Sequence, residues 1–120
     1  MWVYNSRTGL LLNNGSTYGE GYSGIQQGLN DPDYEAVHDI GPIPRGFWMI
    51  GDFFDDPGGK GPVVCHLTPR SDTETFGRSG FMIHGDNRAL NHTASHGCII
   101  LGPYARNKIA TSEDTDLQVV

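Results

Sequence analysis

The chain has 120 residues and carries 8 lysines and arginines against 14 aspartates and glutamates, a formal charge of −6. That length supports one core and not two, so residues 1–120 read as a single domain. The acidic balance excludes nucleic acid as a partner, because phosphates need a basic surface. The apolar runs Phe47–Ile50 and Cys98–Leu101 are far too short for membrane insertion.

Seventeen glycines and seven prolines predict many turns and short strands rather than long helices. Met1-Trp2-Val3-Tyr4 is not a basic segment followed by an apolar one, so no Sec-type signal is expected and any export from the cytoplasm would use another route. Trp2–Tyr4 and Leu10–Leu12 read as strands around a turn, with a hairpin signal at Asn13-Asn14-Gly15-Ser16. Thr17 to Asn30 is rich in glycine and tyrosine, and Tyr22 and Ser23 suit the wall of a cleft. Asp31-Pro32-Asp33-Tyr34-Glu35 opens with a turn signal and starts one helical turn; its carboxylates lack the spaced series of a calcium loop.

The prolines of Gly41-Pro42-Ile43-Pro44-Arg45-Gly46 exclude helix and central strand. Phe47-Trp48-Met49-Ile50 reads as a strand buried on both faces, and Asp52 to Gly61 as a long mobile connection. Val63 to Leu67 is the next strand, with Val63, Cys65 and Leu67 on one face. Phe81 to His84 is another. Pro103 suits the first position of a helix continuing through Ala110, and Leu117 to Val120 reads as an edge strand or a frayed end.

The chemistry gathers between Phe81 and Leu101. His84 ends one apolar run and Cys98 begins another, and the polar segment between them folds back so that the two meet. An imidazole beside a thiol takes its proton and leaves a reactive thiolate. The Gly85 carbonyl is placed to fix the tautomer of His84. Gly97 permits close backbone approach, so amides around Cys98 can converge on one oxyanion. Cys65 reads as a small buried hydrophobe, since a disulfide with Cys98 would consume the nucleophile. The competing reading is a zinc-stabilised module: His92 and His96 are four apart, and His84, Cys98, Cys65 and His66 would complete a shell. Against it, the His92–His96 segment is poor helix context and lacks the glutamate of a zinc-peptidase helix. A catalytically silent wall-binding module is the other alternative.

Ser95-His96-Gly97-Cys98-Ile99, with His84-Gly85 upstream, resembles the signature of L,D-transpeptidases, cysteine enzymes that act on peptidoglycan stem peptides. Three blocks, Gly41–Gly46, Gly77–Asp86 and Ser95–Leu101, resemble more narrowly the Tlde1-type antibacterial effectors of type VI secretion. The resemblance runs from about Tyr22 to Arg106. It implies a compact, mainly β sandwich or barrel of mixed strands with one or two short helices, and no cofactor. It implies Cys98 as nucleophile, His84 as general base, Gly85 as its orienter, and amides of His96, Gly97 and Cys98 as the oxyanion pocket, with Ser95 and His96 shaping the loop. Arg78 or Arg88 would pair with a stem carboxylate. Ile100 stands where larger members carry arginine or asparagine, and the His84-to-Cys98 interval is shorter than theirs; both agree with the effector subgroup. The implied activity is L,D-carboxypeptidase or D-amino acid exchange on tetrapeptide stems, between diaminopimelate and D-alanine. The implied partners are a cognate immunity protein and a secretion-apparatus component that delivers the toxin to the target-cell periplasm.

Overall fold

Short apolar stretches punctuated by glycine, proline and asparagine fold as ten strands and one α-helix in a computed structural model describing residues 1–120. The strands are β1 (Trp2–Tyr4), β2 (Leu10–Asn13), β3 (Ser16–Glu20), β4 (Tyr22–Ser23), β5 (Gly46–Ile50), β6 (Phe54–Asp56), β7 (Gly61–Pro69), β8 (Met82–His84), β9 (Ile99–Ile100) and β10 (Asp116–Val119). The helix, α1, spans Pro103–Thr111, and single 3-10 turns lie at Gln26–Gly28 and Pro32–Tyr34. Asp31 caps the second of these by accepting from the Asp33 amide. No helix is long and apolar enough to cross a membrane.

One mixed sheet holds the strands in the order β3-β2-β1-β10-β5-β7-β8-β9-β4, with β6 paired to β7. The β1/β10 and β8/β9 pairs are parallel. The two ends of this order, β3 and β4, are separated in the chain by Gly21 alone. The sheet therefore curls until its ends share one bent strand, which removes the open edges that a flat sheet would expose. Gly21 is required at the closure, because a Cβ there would overlap the Ile100 carbonyl. Inside lie Tyr4, Leu11, Trp48, Ile83, Ile99 and Leu117, joined by Ala105 and Ile109 of α1.

Four local expectations change. The β5 strand is not buried on both faces: Trp48 and Ile50 point inward, while Phe47 and Met49 are exposed. All four are apolar, so the alternation of burial is invisible in composition. Residues 52–61 are not a mere connection, since β6 forms a hairpin with β7 whose turn is held by the Asp56 carboxylate accepting from the Lys60 amide. Val63 has φ +60°, which breaks the alternation ahead of Cys65 and Leu67 and leaves Val64 buried as well. The last strand is not at an edge: β10 lies between β1 and β5, with Leu117 and Val119 buried.

That central placement has a measurable consequence. Leu117→Ala should destabilise the protein by about 3 kcal/mol, the usual cost of a cavity in a packed core. Chemical denaturation monitored by tryptophan fluorescence checks this; a cost near zero would mean that β10 frays as an edge.

Candidate functional site

The site is built where β8 and β9 run side by side. Their register pairs Ile83 with Ile99 and His84 with Ile100. One step back, Cys98 immediately precedes β9, and its sulfur accepts from the Met82 amide. His84 and Cys98 line one cavity of about 380 Å³.

His84 is almost fully buried, and its Nδ1 lies 2.8 Å from the Gly85 carbonyl. A carbonyl oxygen only accepts, so Nδ1 carries the proton and Nε2 is left as the free base. The His84 carbonyl accepts from the Leu101 amide, and the Gly85 amide donates to the Lys60 carbonyl. Backbone bonds thus fix the ring from both sides. Burial lowers the pKa of His84 below its ordinary 6.5, and Lys60 and Arg106 add to that effect against the Gly85 bond. The imidazole is therefore neutral at pH 7.

Burial pushes the Cys98 thiol above its ordinary value, opposed by the Met82 amide and the cations of Lys60 and Arg78. The half-buried sulfur donates to the Gly80 carbonyl at 3.7 Å. No hydrogen bond joins it to His84 in this resting state.

The loop ahead of Cys98 is fixed by two buried hydroxyls. Ser95 Oγ accepts from the amides of Gly24 and Gly97 and donates to the Cys98 carbonyl. Ser23 Oγ donates to the Gly97 carbonyl and accepts from the Ile43 amide. Gly97 adopts φ +139°, and a side chain there would press on the Arg78 guanidinium at 2.7 Å. Because the Gly97 amide is already given to Ser95, it is not free for an oxyanion. The amides of His96 and Cys98 make no hydrogen bond within the chain and are the available donors.

The remaining residues singled out from sequence take other places. Arg78 lines the cavity, but its guanidinium donates to the carbonyls of Glu35, Pro42, Gly41 and His96, so it braces the wall and is not free for a substrate carboxylate. Ser23 is fully buried and serves the loop, not a ligand. Tyr22 lines a second cavity of about 540 Å³, where its hydroxyl donates to Asp86 and accepts from the Ala94 amide. Arg88 is exposed and lines none of the cavities. The residues weighed as a zinc shell are dispersed: His92 packs on Tyr22, His66 stacks on Phe54, and the His96 Nδ1 binds the Asp39 carbonyl. Cys65 is a free, fully buried thiol with its pKa pushed up to about 12 by burial. No group of three such side chains converges.

Sequence reasoning missed Lys60, which lines all three cavities, together with His38 and Asp39 on the wall opposite and Arg106 beneath Gly85. Lys60 sits in a glycine-rich turn, where nothing in the pattern separates it from a solvated surface lysine.

A curled mixed sheet with a thiol and a tautomer-locked imidazole at the ends of adjacent parallel strands defines a small β domain with a candidate nucleophile site. The chain belongs to the Tlde1 domain family, whose model matches residues 17–119. Membership suggests a type VI secretion effector. No curated protein matches the chain significantly.

Two measurements check this geometry. Alkylation of Cys98 by iodoacetamide should have its pH midpoint above that of a free cysteine, because burial outweighs the neighbouring cations, while Cys65 stays unmodified in the folded protein. Ser95→Ala, which strips three partners from buried backbone groups, should cost about 1–3 kcal/mol in a denaturant melt.

Proposed function

We propose that the chain is a peptidoglycan-directed cysteine enzyme, an L,D-carboxypeptidase with D-amino acid exchange as its transferase mode. Its substrate is the tetrapeptide stem, cleaved between diaminopimelate and the terminal D-alanine. The observation that carries this reading is that Cys98, just ahead of β9, and a neutral, Nδ1-protonated His84, at the end of β8, line one cavity.

In the first step His84 Nε2 takes the thiol proton as sulfur attacks the diaminopimelate carbonyl. The oxyanion is received by the amides of His96 and Cys98. The tetrahedral intermediate collapses: its C–N bond breaks, the imidazolium returns the proton to the departing nitrogen, and D-alanine leaves. A thioester remains on Cys98. Water, deprotonated by His84, hydrolyses it to the tripeptide, whereas the amine of a free D-amino acid yields an exchanged stem.

Loss or exchange of the terminal residue deprives the wall of cross-linking donors, which suits an antibacterial toxin delivered by type VI secretion into the periplasm of a target cell. A producing cell would need a cognate immunity protein, and occluding the Cys98 cavity is the direct way for it to act. Neither nucleic acid nor membrane insertion enters this scheme.

Mass spectrometry of purified tetrapeptide muropeptides incubated with the protein tests the scheme, with loss or replacement of one alanine as the expected product. Cys98→Ala should lower the rate by on the order of 10³-fold or more. The base must be neutral, and the folded pKa of His84 is lowered. The acid limb of kcat/KM should therefore have its midpoint below 6.5, with activity lost only as pH falls through it. Killing by periplasm-directed Cys98→Ala would sink the catalytic reading.

A further inference from the structure

Beside Gly85, the residue after His84, lies the cavity of about 540 Å³ lined by Lys60, Gly85, Asp86, Leu101 and Arg106. Arg106 is only 6% exposed. Its Nη1 donates to the Leu101 carbonyl at 2.7 Å, while its Nε is buried without a partner. No carboxylate of the chain forms an ion pair with it. A buried guanidinium with one acceptor among its five donors is under-satisfied, and burial without a counter-charge is costly. The guanidinium packs against Gly85, where any side chain would overlap it, and its Nη2 lies near Gly61 at the cavity wall.

Lys60 supplies a second cation. It lines this cavity, the Cys98 cavity, and the smaller one of about 250 Å³ that shares Gly85 with the former and His84 with the latter. The Asp86 carboxylate is occupied by the Tyr22 hydroxyl and the Asn87 amide. The space beside the base is thus flanked by two cations without carboxylate partners.

We propose that Lys60 and Arg106 form a carboxylate-binding subsite that holds the terminal carboxylate of the residue leaving from, or arriving at, the Cys98 thioester. This rests on the carboxypeptidase reading. As the C–N bond breaks, the departing nitrogen takes its proton from His84, so the leaving residue lies on the His84 side. Its carboxylate is two bonds from that nitrogen, which brings it to the cations flanking the ring. A peptide that continues beyond the scissile bond has no charge at that point. The subsite therefore restricts cleavage to the last residue. It also selects free amino acids as acceptors, since they carry the same carboxylate next to the attacking amine.

The test compares a tetrapeptide ending in D-alanine with the same peptide ending in D-alaninamide. Wild-type protein should favour the free acid by roughly 10- to 100-fold in kcat/KM, the range expected for charge-assisted hydrogen bonds. Lys60→Ala and Arg106→Gln should each narrow that ratio toward one. Because Arg106→Gln risks the fold, Gly102→Asp provides a second arm. Gly102 precedes α1 at φ −69° with open space around its Cβ position, so an aspartate fits and caps the helix while adding negative charge at the cavity rim. This variant should narrow the ratio without lowering the melting temperature. Titrating D-alanine into Cys98→Ala protein should shift the amide resonances of Gly61, Leu101 and Arg106. Equal turnover of acid and amide overturns the subsite and leaves the carboxypeptidase reading standing; no release from either peptide overturns both.

Discussion

The arrangement depends on one buried cation. Arg78 donates to four main-chain carbonyls, those of Glu35, Gly41, Pro42 and His96, and its guanidinium lies over the Phe81 ring at 5.2 Å from the centroid. These groups come from three segments with no ladder of their own between them. Each charge-assisted bond contributes about 1.5–3 kcal/mol net, and burial lowers the arginine pKa. The fork geometry of guanidinium suits this task, whereas a lysine would reach fewer of the four acceptors. The proline segment thus becomes a rigid wall without strand pairing, and the Cys98 loop is held against it.

From that brace follows the electrostatic state of the site. The loop is pressed down far enough for burial to raise the thiol and lower the imidazole, so the resting pair is neutral on both sides. A pre-formed thiolate–imidazolium pair would be more reactive toward any electrophile. A neutral pair whose sulfur rests on the Gly80 carbonyl is less nucleophilic, because the thiolate is the reactive form. The cations divide: Lys60 and Arg78 favour the thiolate and so oppose burial at Cys98, whereas Lys60 and Arg106 disfavour a charged imidazole and so reinforce burial at His84.

How much of this was legible in the sequence depends on the range over which each feature is determined. His84, Gly85 and the Ser95–Cys98 loop lie at strand ends, where a few adjacent residues announce both the strand and its interruption. The hairpins around Asn5–Gly9 and Asn14-Gly15 and the start of α1 at Pro103 are local in the same sense. The place of β10 is not. Asp116-Leu117-Gln118-Val119 alternates as any half-buried strand does, and only the docking of β1 and β5 on either side makes it central. Arg78 shows the same limit. An arginine between Gly77 and Ser79 gives no sign that four distant carbonyls will surround it, so a substrate contact and a structural brace look alike until the chain is folded. Lys60 and Arg106 gain their meaning only from the cavity that the closed sheet creates.

The β8/β9 pair links topology to chemistry. Parallel neighbours need a crossover of a dozen or more residues, usually helical. Here the crossover runs from Gly85 to Cys98 with no helix, and side-chain hydrogen bonds hold it in place instead. Asn87 bonds Thr93, the Tyr22 hydroxyl bridges Asp86 and the Ala94 amide, and Ser95 fixes the final turn. Tyr22 and Ser23 belong to β4, which pairs with β9 to finish the sheet. The strand that closes the barrel is therefore also the strand that disciplines the crossover. This explains why a domain of this size can hold a cysteine and a histidine in register: sheet closure and site formation use the same residues, and neither can be loosened without the other.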